Sequence, residues 1–108
     1  MQISIETKDN YTIITPEGKL DSVTSQELEE KITILINENK NNLLINFEKL
    51  NYISSAGLRV LLIAAKKTKA ISGEVRLSSL NPQIKDVFNI SGFSSLFKIY
   101  DTAAEASF

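Results

Sequence analysis

Asn51 to Ala70 reads NYISSAGLRVLLIAAKKTKA, and the rest of the chain is arranged around it. Leu58, Leu61, Leu62 and Ala65 recur at i, i+3, i+4 and i+7, the spacing of one α-helical stripe. Ser54 or Ser55 stands where an N-cap belongs, because a hydroxyl there accepts a hydrogen bond from a free N–H of the first turn. Arg59 is the only charge before Lys66, Lys67 and Lys69, which gather where the helix macrodipole is negative. A small hydroxyl is therefore presented at the positive end of an anchored helix. A capped core helix accounts for the pattern. The same end also favours an anion, so a phosphate on a serine there would be held by the helix.

Working outward, the preceding run Leu43-Leu44-Ile45-Asn46-Phe47 is short and apolar, as expected of a strand buried on both faces. Leu50, Tyr52 and Ile53 are read as a connection, with Ile53 packing across the first helical turn. After the helix, Gly73 is expected to cap its C-terminus with a positive φ. Val75, Leu77 and Ser79 alternate with Arg76 and Ser78, which predicts a strand over 74–79. Asn81-Pro82 starts a short helix with Ile84, Val87 and Phe88 as its stripe, and Ser91-Gly92 stops it. Leu96 to Tyr100 reads as a last strand, followed by a weak helix of alanines capped by Asp101 and a fraying C-terminal end.

The N-terminal half begins with alternation over 2–8, QISIETK, and a second strand over Tyr11–Thr15. Asp9-Asn10 turns between them, so the two should form an antiparallel hairpin. Pro16 and Gly18 are expected to end the second strand. Asp21 is an N-cap candidate for a helix carrying Leu28, Ile32, Leu35 and Ile36, with Glu27, Glu29 and Glu30 as its solvated, acidic beginning. The order β-β-α-β-α-β-α-β predicts an α/β fold: one mixed sheet of about five strands with helices mainly against one face. The strands at 43–47 and 74–79 should be parallel, joined through the serine-led helix, and the first strand should lie at an edge.

Composition narrows function. The 108 residues fit one domain over 1–108, and a net charge of −1 leaves no basic footprint for nucleic acid. With no His and no Cys, a Ser-His triad, a Cys-His pair and a His-bearing zinc site are excluded, and no Gly-x-x-x-x-Gly-Lys phosphate loop occurs. No apolar run approaches the ~20 residues of a membrane span. Without a basic, apolar leader at the start, a cytoplasmic protein is expected. The chain reads as an enzyme's substrate more readily than as an enzyme.

Ile53-Ser54-Ser55-Ala56-Gly57-Leu58 resembles the signature of the STAS family, shared by sulfate transporters and anti-sigma factor antagonists. Gly18-Lys19-Leu20-Asp21 and the run from Asn81 to Ile99 are also similar to that family, so the resemblance covers nearly the whole chain. It implies phosphorylation of Ser55, the serine two positions before Gly57, and a partner surface of Asp21, Ser54, Ser55, Ala56, Gly57 and Arg59. It implies as partners an anti-sigma factor that is also a GHKL-type serine kinase, and a resetting phosphatase, with no cofactor in this chain. A soluble subunit of a lipid or anion transport complex, with transporter subunits as partners, is the alternative it implies. The chain departs from family members that carry Asp at position 54 and Ser or Thr at 56, and Arg59 replaces a small residue. These changes bear on which kinase is recognised. Gly57 is expected to let a partner approach the first turn.

Overall fold

A computed structural model describes residues 1–108. The order is β1 (Gln2–Thr7), β2 (Thr12–Leu20), α1 (Thr24–Asn37), β3 (Asn42–Asn46), β4 (Leu50–Ile53), α2 (Ser55–Ala70), β5 (Glu74–Ser78), α3 (Pro82–Ser91), a 3-10 turn (Phe93–Ser95) and β6 (Lys98–Tyr100). The strands form one mixed sheet in the order β1-β2-β3-β5-β6, with β4 pairing on β2. As expected, β1 is an antiparallel edge strand and β3 runs parallel to β5. No helix is long and apolar enough to cross a membrane.

Cross-strand partners share a face of the sheet. One row runs Ile5, Ile14, Ile45, Leu77 and Ile99 across the five strands. The row beside it runs Glu6, Ile13, Leu44, Arg76 and Lys98 on the opposite face. Ile14, Ile45 and Leu77 belong to a core cluster of 20 buried residues that also holds Leu28 and Ile32 of α1, Leu61 and Ala64 of α2, and Ile84 and Phe88 of α3. The helices therefore cover the first face, as the sequence predicted. Within α2 Leu61, Ala64 and Thr68 are fully buried, while Leu62 and Ala65 flank them half-buried.

Several expectations are corrected. β2 continues through Pro16 and Gly18 because it changes partner on one side. It pairs β3 at Thr12–Ile14 and β4 at Gly18–Leu20. Pro16 lies in the gap, where its missing N–H leaves no ladder bond unmade on that side. Gly18 takes φ 99°, a left-handed conformation, at a register shift in the β2–β4 ladder. The residues read as a connection form β4, buried at Leu50 and Ile53 and exposed at the two residues between, without the alternation that marks a half-buried strand. Ser72, not Gly73, adopts the positive φ after α2. Gly73 serves close approach instead: a Cβ there would lie 1.8 Å from the Asn41 carbonyl oxygen. β6 is shorter than read, since Leu96 follows the 3-10 turn and is 60% exposed.

The C-terminal segment packs back onto the sheet and forms no helix. Thr102, rather than Asp101, starts its turn by accepting from Glu105 N–H at 3.1 Å. The segment lies over the second face, where Ala106 is fully buried. Arg76 holds it: Nη1 donates to Ser107 O at 2.7 Å, and the guanidinium stacks 4.0 Å from the Phe108 ring centroid. Arg76 Nε also pairs with Glu74 at 2.6 Å, which holds that carboxyl below its ordinary pKa.

Two outcomes follow from this packing. Gly73→Ala should lower stability by about 2 kcal/mol or more in urea unfolding, because the obstruction is backbone and cannot turn aside. Arg76→Lys keeps the charge but loses the planar fork and the stacking. Hydrogen exchange at Ala106 should then speed up while the β3 amides stay protected.

Candidate functional site

The site arises where β2 and β4 end together. Leu20 and Ile53 are partners in the parallel ladder, and Ser54 N–H donates to Leu20 O at 2.9 Å. Each strand then runs straight into a helix start, so the Asp21 turn and the Ser54-Ser55 turn lie side by side. Two helix N-termini, each the positive end of a dipole, are brought to one edge; at α1 the first-turn N–H groups of Val23 and Thr24 are taken up by Asp21.

The serine pair divides its duties. Ser54 is the N-cap of α2, with extended backbone, and its Oγ accepts from Gly57 N–H at 3.3 Å. Ser54 is half-buried, whereas Ser55 occupies the first helical position and is exposed. Ala56 is half-buried and Arg59, one turn along, is exposed. The expectation for Gly57 is corrected. It is buried, and a Cβ there would lie 2.8 Å from Ile53 Cγ1 and 2.9 Å from Leu20 Cδ2. The close approach it permits is inward, between helix and strands.

Asp21 caps α1 as expected, two residues ahead of the formal cap position at Val23. Its Oδ1 accepts from the Val23 and Thr24 N–H groups, both at 2.9 Å. Thr24 Oγ1 in turn accepts from Asp21 N–H at 2.9 Å and donates to Lys19 O at 2.7 Å. This reciprocal arrangement locks the loop. The Thr24 N–H bond, followed by that of Val23, lowers the Asp21 pKa by stabilising the carboxylate.

Sequence reasoning missed three contributors. Thr24, read from the sequence only as part of the helix start, fixes the Asp21 loop. Val23 and Tyr52 are 68% and 48% exposed, flanking the two turns with apolar surface. A valine at a cap position, where Ser, Thr, Asp or Asn is favoured, was the available signal for the first. Tyr52 pairs with Lys19 across the β2–β4 ladder, a contact visible only once β4 is recognised. No three acidic side chains cluster closely enough to hold a metal ion.

Comparison with known proteins agrees with this architecture. The model of the STAS domain matches residues 2–106. BtrV of Bordetella bronchiseptica, named as a candidate anti-sigma factor antagonist, is 34% identical over all of this chain and 95% of its own. The crystal structure of a candidate anti-sigma factor antagonist from Thermotoga maritima superposes with a TM-score of 0.91 at 22% identity, covering 96% of this chain and 90% of that one. Phosphorylated SpoIIAA of Bacillus superposes with a TM-score of 0.77 at 24% identity, covering 97% and 96%. At those identities the two structures speak to the fold.

Because its folded-state pKa is depressed, the Asp21 carboxylate adds stability that is fully present above the ordinary aspartate range. That stability is lost as pH falls through the lowered value. Asp21→Ala should therefore lower Tm at neutral pH, with the gap to the unsubstituted protein narrowing in acid. A gap independent of pH would assign the effect to packing.

Proposed function

The chain belongs to the STAS domain family, and from that premise we propose that it is an anti-sigma factor antagonist switched by phosphate on Ser55. The observation that carries the reading is the division of labour at the start of α2. Ser54 is spent on the cap, and Ser55 is left exposed at the positive end of the helix. The name of the relative BtrV supports the antagonist role, and the solved phosphorylated form of SpoIIAA supports a phosphate on this fold.

Unmodified, the surface of Asp21, Ser55 and Arg59, edged by Val23 and Tyr52, captures an anti-sigma factor that is also a GHKL-type serine kinase. The kinase brings the ATP. Ser55 Oγ attacks the γ-phosphorus, its proton passes to a base of the kinase, the bond to the β–γ bridging oxygen breaks and ADP leaves. The product carries about −1.5 to −2 charges at the centre of the contact. The helix end accommodates that charge, because free N–H groups and the dipole face it. The partner interface does not, since the charge must be desolvated against a surface shaped for a neutral hydroxyl. Release follows, and a phosphatase restores the hydroxyl.

Mass spectrometry after incubation with the partner kinase and ATP should place phosphate on Ser55 and none on Ser55→Ala. Ser55→Asp should fold normally and bind the kinase about a hundredfold more weakly. Ser54→Ala should lose about 1 kcal/mol with its cap yet still be phosphorylated. Phosphate on neither serine, with full-strength binding by Ser55→Asp, would defeat the switch.

A further inference from the structure

Away from the serine site, the surface carries two depressions of opposite character. One is a groove of about 510 Å³ between the second half of α2 and β5–β6. Its floor is Ala65, Val75, Leu96 and Phe97, with Lys69 and Lys98 at the rim. Glu74 also lines it, but that carboxylate is shared between Arg76 at 2.6 Å and Lys98 at 3.5 Å, so the groove stays positive. Leu96, 60% exposed, supplies much of that floor's open apolar surface.

The other depression, about 520 Å³, lies along the outer face of α1. Gln26, Glu29, Glu30, Thr33 and Ile34 form it, at the i, i+3, i+4, i+7 and i+8 positions of one helical stripe. Ile34 projects from this acidic stripe 54% exposed, while Lys31 lines a different depression beside Met1 and Ile3. A β-branched side chain left half in water on a helix otherwise patterned for burial has no role in the core.

We propose that these two surfaces meet between copies of the chain, head to tail. Ile34 of one copy enters the apolar floor beside Leu96 of the next, and Glu29 and Glu30 face Lys69 and Lys98. The pairing is of opposite charge around an apolar centre, which sets both register and partner. α1 packs over β2, whereas the groove is walled by the far edge strand β6, so one copy uses different surfaces for its two neighbours. Such a contact is heterologous and extends into a ring or an open chain, unlike a two-fold dimer. Neither surface includes Ser55, which sits at the opposite end of α2 from Lys69, so assembly would array switch sites without covering them.

Sedimentation velocity of the full chain, from about 10 µM to about 1 mM at low salt, tests this. Association should grow with concentration and weaken as salt shortens the Debye length to about 8 Å at 0.15 M. Glu30→Lys and Lys69→Glu should each weaken it at least about tenfold, because each copy then presents like charges at both surfaces. An equimolar mixture of the two variants should associate again, since opposite charges meet once more. Ile34→Ser should weaken association without changing the circular dichroism spectrum. A chain that stays monomeric throughout the range overturns the proposal. So does association indifferent to these substitutions, or a mixture no stronger than its components. A groove that binds acidic helical peptides while copies remain monomeric also overturns it, in favour of a different partner.

Discussion

The hydrogen bond from Ser54 N–H to the Leu20 carbonyl, 2.9 Å long, is the rung on which the arrangement of the site depends. It closes the ladder between β2 and β4, two strands that each end in a helix start. Without it the Asp21 loop and the serine turn would be separate features of a long chain. With it, two helix starts and two capped turns share one edge. The geometry has local costs. β2 must change partner midway, which is tolerable because Pro16 falls in the gap and Gly18 takes the left-handed conformation at the register shift. α2 must lie close upon both strands, so a side chain at position 57 would force Ile53 and Leu20 to move.

The sheet then imposes a division of chemistry. Its pleat sends Ile14, Ile45 and Leu77 into the helical layer and Leu44 and Arg76 to the other side. A bare second face would leave Leu44 in water. The chain's last residues cover it instead, held by a guanidinium that pairs with Glu74, stacks on Phe108 and donates to the backbone. An arginine suits this place because its planar fork can do all three at once, which a lysine ammonium cannot.

At the start of α2 the same economy separates structure from chemistry by one residue. A single hydroxyl cannot both accept from the first-turn N–H and stand free toward a partner. Ser54, held by its own cap bond and half-buried, takes the first role. Ser55, one peptide later on the rising helix, turns outward. An aspartate at 54 would also cap, so the serine there fills that role without placing a negative charge beside Ser55.

The sequence by itself determined whatever rests on local periodicity and capping chemistry. The parallel pair around α2, the edge hairpin, the caps at Asp21 and Asn81 and the motif from Ile53 to Leu58 were all legible, because near neighbours in the chain settle them. The tertiary structure alone decided what depends on distant partners. β4 has only four residues and becomes a strand because β2 offers it an edge. Pro16 and Gly18 read as breakers, since nothing local reveals that a ladder is interrupted beside them. Gly73 read as a cap because the carbonyl it must clear belongs to Asn41, on another element. The choice of Ser54 as cap and Ser55 as the exposed hydroxyl was likewise open in the sequence. It was settled by the Leu20 carbonyl, which holds Ser54 N–H in the ladder and so sets where the helix begins.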